Sequence, residues 1–263
     1  MQPSSPAFSV PAGGTATFAP PRRDPRVSVV IPTLNEAENL PHVLPRLPRD
    51  LFELILVDGH STDGTIEVAR ALYPSVRVVR QSGRGKGNAL AAGFERCRGD
   101  IIVMLDADGS TDPAEIPAFV AALVEGADFA KGSRFMAGAG SADITKLRGL
   151  GNRVLSGIVN VLFGTRYTDL CYGYNAFWSR CLSQFCVDCD GFEVETLMNV
   201  RAAKEQLVVA EVPSFESERL YGTSKLNTLR DGSRVLATIM QERFGSRSAL
   251  APRTAAALLP AKA

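Results

Sequence analysis

Two aspartates one residue apart, Asp106 and Asp108, follow the apolar run of residues 101–105 in the stretch IIVMLDADG. Alternate residues of a strand point to the same side, so both carboxylates can serve one ligand. Their hard oxygens suit Mg²⁺ or Mn²⁺ shared with a diphosphate. One opposite unit charge ~4 Å from a developing anion, at an effective dielectric near 20, is worth about 4 kcal/mol, roughly a thousandfold in rate. The alternative is a plain turn at Asp108-Gly109-Ser110, followed by a helix that Asp112-Pro113 opens. That reading accounts for Asp112 and leaves Asp106 unexplained.

Other residues could share such a site. Asp58 ends a second apolar run in LILVDGHSTDGT, where a carboxylate can accept from a ribose hydroxyl or a base edge, or simply make an Asp-Gly turn. Gly83-Arg84-Gly85-Lys86-Gly87 leads into a helical pattern, a place that favours anions. It lacks the spacing and the Lys-Ser/Thr ending of a P-loop and is not GxGxxG. Arg134, Arg148, Arg219 and Lys225 lie outside the apolar runs. They can meet a polyanion by charge-assisted bonds or decorate a solvated face. Asp188, Asp190, Glu193 and Glu195 in VDCDGFEVE are candidate general bases, although an acidic turn and helix start explains them too.

The elements that would position these groups alternate. Residues 27–31, 54–57, 76–79, 101–105 and 128–130 read as strands; 36–47, 64–72, 86–97 and 113–124 read as the helices between them. This βα alternation predicts a mostly parallel sheet, with ligands beyond the carboxyl ends of the strands, where Asp58, Lys86, Asp106 and Asp108 fall. Residues 144–163 place Ile144, Leu147, Leu150, Val154, Leu155, Ile158, Val161 and Leu162 on one helical stripe, and 192–204 and 226–244 read as further helices around a strand at 207–212.

Composition narrows the function classes. The 263 residues are 45% apolar and 22% charged, enough for one substantial domain. With 29 basic against 28 acidic residues the net charge is +1, which gives no global field for nucleic acid, and no such partner is expected. No apolar run approaches the ~18 residues of a membrane span, and no secretory signal opens the chain. A cytoplasmic protein is expected, at most resting on the cytoplasmic face of a membrane. Residues 1–25 hold six of the sixteen prolines and read as a flexible leader; 245–263 read as a flexible tail. Of five cysteines, Cys186 and Cys189 form a CxxC, but no second CxxC or nearby histidine completes a zinc site, so free thiols are expected.

In order along the chain, VSVVIPTLNEAENLPHVL, LILVDGHSTDGT, GRGKGNAL and IIVMLDADG resemble the nucleotide-sugar domain of family 2 inverting glycosyltransferases of GT-A fold. KGSRF, GFEVETLM and ERLYGTSKLN are similar to the dolichyl-phosphate mannosyltransferase-like, polyprenyl-phosphate sugar transferase branch. The resemblance runs from about Val27 to Leu229. It implies an α/β fold, a mostly parallel central sheet flanked by helices, in a single domain over 26–244, with a nucleotide-sugar-binding part at 26–135 and an acceptor-side part at 136–244. It implies that Pro32, Leu34 and Glu36 line the nucleotide pocket, that Val57 and Asp58 flank base or ribose, and that Lys86 belongs to the donor-binding set. Asp106, Ala107 and Asp108 would contact nucleotide and a Mg²⁺ or Mn²⁺ ion held by the two aspartates. Arg134, Arg219 and Lys225 would clamp the phosphates, forming the catalytic set with Asp108, and Arg148 would meet an acceptor phosphate.

The chain departs from the family pattern in three places. Gly59 stands where a second Asp often follows, Ser110 where a Gln can join the metal site, and Asn175 replaces the arginine of the segment that here reads DLCYGYN. The implied reaction moves a sugar from a GDP-mannose or UDP-glucose type donor to a polyprenyl or dolichyl phosphate at a membrane surface, by metal-assisted single displacement. An ionised lipid phosphate needs no general base, whereas a hydroxyl acceptor would need one from 188–195. A catalytically idle nucleotide-sugar scaffold is the remaining reading, and the clustered charge argues against it.

Overall fold

The structure, a computed structural model, describes residues 24–245. The leader and tail read at 1–25 and 245–263 lie, apart from their innermost residues, outside the described residues. Mostly aliphatic runs buried on both faces form β1 (Val27–Thr33), β2 (Glu53–Asp58) and β4 (Ile101–Met104), and a partly buried edge strand forms β3 (Arg77–Arg80), all parallel. The crossovers between them carry α1 (Leu40–Val43), α2 (Thr65–Leu72) and α3 (Lys86–Phe94). After β4 come α4 (Ile116–Val124), β5 (Phe129–Ser133), the short β6 (Gly140–Ser141) and α5 (Lys146–Phe163). The chain finishes through β7 (Asn175–Trp178), α6 (Leu182–Phe185), α7 (Val194–Lys204), β8 (Val209–Pro213), β9 (Phe215–Glu216) and α8 (Thr228–Phe244).

The main sheet has the order β3-β2-β1-β4-β7-β5-β8, and β6 pairs with β9 in a parallel two-stranded ribbon. β7 runs antiparallel to both β4 and β5, so the other six strands share one direction. The sheet is mostly parallel, as expected, but β5 does not neighbour β4. The four residues of β7 carry no alternation because both faces are buried, which is why the sequence pattern passes over them.

Two other expectations change. The helix read at 36–47 is one four-residue turn and a 3-10 turn at Leu44–Arg46, because Pro41 and Pro45 each withhold an N–H. The strand read at 128–130 continues to Ser133, past a fully buried Lys131. Its ammonium reaches Glu211 at 3.1 Å, the Asp169 carbonyl and the ring of Tyr167, which makes burial of the charge tolerable.

The principal core lies on both faces of the sheet, where Phe129, Phe177 and Phe185 meet edge to face at 4.9–6.4 Å. A smaller core joins α5, α7 and α8 through Val159, Val200, Val235 and Ile239. α5 turns Asn152, Ser156 and Val159 inward and leaves Leu147, Leu150, Val154 and Val161 exposed, so only part of its predicted apolar stripe is core.

Candidate active site

The carboxyl ends of the parallel strands open into a cavity of about 420 Å³, closed opposite by α5, the start of α7, the segment after β9 and α8. Eleven of the thirteen site residues that the family resemblance implies line it: Pro32, Leu34, Glu36, Lys86, Asp106, Ala107, Asp108, Arg134, Arg148, Arg219 and Lys225. Val57 and Asp58 do not. Val57 is core. Asp58 is fully buried, and its carboxylate accepts from the backbone N–H groups of His60 and Ser61, so it holds its own turn instead of facing a base or ribose.

The aspartate pair is brought into the cavity by a bend at Gly109, φ +78°, on which Leu220 packs so closely that a Cβ would stand 2.7 Å from it. Each carboxylate has its own cation. Lys86 Nζ lies 2.6 Å from Asp106 and 2.8 Å from the buried Glu195. Burial alone would lower the pKa of the Lys86 ammonium, but the charges of Asp106 and Glu195 outweigh it and raise the value above the usual lysine range. Arg219 bridges Asp108 at 2.8 Å and Glu36 at 3.3 Å. Ser110 braces Asp108 with N–H and O–H bonds of 3.0 and 2.6 Å. Burial raises the Glu36 carboxyl above its ordinary range, against Asn39 and Arg219, which pull it down.

The donor set fits a hard divalent ion: two carboxylates from one strand end converge on a cavity, and the cation on Asp108 comes from a separate segment, the one after β9. Among the described residues no group of three or more His, Cys, Asp or Glu could hold a metal, and all five cysteines are free thiols.

Three further expectations are corrected. The glycine-rich approach to α3 does not offer the N–H of Gly87 to an anion, because it donates to the carbonyls of Asp190 and Gly191 at 3.0 and 3.2 Å. Gly85 and Gly87 are there for this close approach: a Cβ on Gly87 would sit 2.5 Å from the Cys189 carbonyl, and one on Gly85 would run into that of Asp190. Arg134 is not a free phosphate clamp. Its Nε and Nη2 donate to Asp169 and its Nη1 to both oxygens of Glu216, with the guanidinium stacked over Tyr172. Burial would raise the Asp169 carboxyl, yet Arg134 holds it below the usual range. Of the four acidic candidates at 188–195, only Glu195 reaches the cavity; Asp188 pairs with Arg201, Asp190 accepts from Asn88, and Glu193 from Gly191 N.

Arg148 lines the cavity 3.5 Å from Asp143, and Lys225 donates to the Leu34 carbonyl. With Arg219 these cations come from segments that lie across the strand ends. Gln81, Asn152, Tyr172 and Glu216 also line the cavity and were not singled out. For Gln81 the available signal was its place directly after β3; Asn152 and Tyr172 carry none, being a helix residue and a loop aromatic.

The family model for glycosyl transferase family 2 matches residues 28–184. Glycosyltransferase AglJ of Haloferax volcanii is 34% identical over 209 residues, covering 78% of this chain and 68% of its own. Undecaprenyl-phosphate mannosyltransferase of Micrococcus luteus is 34% identical over 215 residues, covering 77% and 88%. Among solved structures, glucosyl-3-phosphoglycerate synthase from Mycobacterium tuberculosis, in complex with Mn²⁺, UDP and glucosyl-3-phosphoglycerate, is 25% identical with a TM-score of 0.66, over 85% of this chain and 82% of that one.

Proposed function

The chain belongs to glycosyl transferase family 2 and is a glycosyltransferase of GT-A fold, and on that premise we propose that it moves a sugar from a nucleotide-sugar donor to a polyprenyl phosphate at a membrane surface. The observation that carries the acceptor is the way the cavity opens. Arg148, Gly151 and Leu155 of α5 and Thr228, Gly232 and Val235 of α8 flank it. The same two helices expose Leu147, Leu150, Val154 and Val161, and Leu229, Leu236, Met240 and Phe244. Lys146, Arg153, Arg230, Arg234 and Arg243 are exposed around them. α5 has no acidic residue, and those of α8 are committed, Asp231 buried and Glu242 paired with Arg201 and Lys204. A phosphate can enter the polar cavity while its apolar chain follows this face, and the basic rim meets anionic lipid at about 1 kcal/mol per residue. Among the described residues no helix is long and apolar enough to cross a membrane.

In the reaction, Asp106 and Asp108 would hold a divalent ion, whose charge would offset that of the leaving diphosphate. Arg219 exchanges Asp108 and Glu36 for the diphosphate, and Lys225 leaves the Leu34 carbonyl for the same anion. Each such charge at ~4 Å contributes about 4 kcal/mol at an effective dielectric near 20. Arg148 meets the acceptor phosphate. That phosphate is ionised at neutral pH and attacks the anomeric carbon directly, breaking the bond to the diphosphate with inversion. Arg134 positions the segment bearing Glu216 and the one bearing Asp169 without touching substrate.

The test is a donor and acceptor panel. Purified protein with Mn²⁺ is given nucleotide sugars together with short-chain polyprenyl phosphate, phosphoglycerate or a neutral glycan, and products are identified by mass. Glycosylated polyprenyl phosphate supports the reading. Transfer only to phosphoglycerate or to a glycan hydroxyl overturns it, and the latter result makes Glu195 the base to examine.

A further inference from the structure

The donor reading leaves the nucleobase without a recognising carboxylate: Asp58 is committed to its turn and the following position is Gly59. We propose that Gln81, the first residue after β3, reads the base edge of the donor nucleotide in this protein. The inference rests on the donor reading above and assigns the part of it that decides which nucleotide is accepted.

Sheet order sets the distance. Gln81 and Gly59 directly follow β3 and β2, Thr33 ends β1 and Asp106 lies two residues past β4, and these four strands are successive neighbours. Three strand spacings separate Gln81 from the aspartate pair, about 14 Å. That is the reach of an extended nucleoside diphosphate whose phosphates lie at the pair. Gln81 and Gly59 both line the cavity there. A Cβ on Gly59 would stand 3.6 Å from the Gln81 amide nitrogen, so the missing side chain is what opens the space in front of the amide.

Gln81 is held and yet incomplete. Its backbone N–H donates to Asp58 O at 3.2 Å, and its side-chain Nε2 donates to Gly83 O at 3.1 Å. The residue is 5% exposed, and among the described residues its side-chain carbonyl Oε1 has no hydrogen-bond partner. A buried amide carbonyl with no partner is uncommon because its desolvation goes uncompensated. A base placed against the amide supplies what is missing: a ring N–H to Oε1, with the second Nε2 hydrogen left for a base carbonyl. Uracil and guanine both offer that adjacent pair.

The test is a titration of the full chain, in Mn²⁺, with UDP, GDP, ADP, CDP and inorganic diphosphate. The wild type is expected to separate the four nucleotides. Gln81→Leu weakens the preferred one about 10–100-fold, the value of one buried hydrogen bond, and leaves inorganic diphosphate unchanged. Gln81→Glu, a second variant of nearly equal shape, offers acceptors only. It favours guanine, with N–H groups side by side, over uracil, whose N–H lies between two carbonyls, shifting the GDP-to-UDP affinity ratio toward GDP by at least about 10-fold. If both variants keep the wild-type order and spread, Gln81 does not read the base and the donor reading stands without it. If no nucleotide binds the wild type more tightly than inorganic diphosphate, the donor reading falls as well.

Discussion

Replacing Lys86 by methionine tests whether the buried charge cluster under Asp106 is organised as described. Lys86 stands between two carboxylates at 2.6 and 2.8 Å, and Glu195 is 3% exposed. Each contact is worth about 6 kcal/mol of gross Coulomb energy at an effective dielectric near 20, most of it spent on desolvation. Breaking a buried pair while its partner stays charged costs about 3–5 kcal/mol. For a chain of this size that lowers the melting temperature by roughly 6–20 °C. The sign of the pH dependence follows from Glu195. Burial raises its carboxyl above the ordinary value even with Lys86 opposite, which pulls the other way. A raised carboxyl disfavours the folded state progressively as pH climbs above the unfolded value, so the deficit of Lys86→Met is smallest near pH 5 and grows toward pH 8. Melting curves of wild type, Lys86→Met, Glu195→Gln and the double variant at both pH values give the coupling directly. Should Lys86→Met melt within about 2 °C of wild type at pH 8, or Glu195→Gln fail to restore it, the cluster is not held as the geometry describes.

Asp108→Ala should remove sugar transfer by about a thousandfold or more while leaving the melting temperature within a few degrees, and a chelator should silence the wild type reversibly; turnover that survives either treatment contradicts the metal assignment. Gly85→Ala should destabilise by about 2–4 kcal/mol, from overpacking against Asp190 and from its φ of +93°, read as a shift in the urea midpoint. Val154→Glu with Met240→Glu should abolish flotation with anionic vesicles yet keep transfer to a short-chain acceptor in solution; retained flotation would move the membrane face elsewhere. Acid unfolding should set in below about pH 4, because Asp169, depressed by Arg134, contributes stability above its unfolded value and loses it as pH falls through the folded one; Asp169→Asn should flatten that limb while lowering stability at pH 7.

The strand ends were legible because each parallel strand announces itself by an apolar run and its ligand loop begins where the run stops. Asp106, Asp108 and Lys86 were found in that way, and Glu36 through the family resemblance. What sequence could not carry is partner choice. Arg134 reads as a free cation until Asp169 and Glu216, 35 and 82 residues away, are seen to occupy it. The glycines before α3 read as a phosphate cradle until Asp190 and Gly191 arrive on the N–H of Gly87. Asp58 read as a ligand because an Asp after a strand serves equally well as a turn, and Gln81 had only its place after β3 to mark it. β7 was missed for a related reason, since a four-residue strand buried on both faces has neither length nor alternation.

The position of β7 also shapes how the chain is born. Asn175–Trp178 is the neighbour of both β4 and β5, so about 70 residues must emerge after Met104 before either strand gains it. At the ~5–20 residues per second of synthesis, the nascent sheet stands with β4 as an open edge for roughly 4–14 s. Any truncation that ends before Trp178 makes that edge permanent. Such fragments should be found with chaperones or in inclusion bodies, and the parts read at 26–135 and 136–244 should not fold when expressed apart.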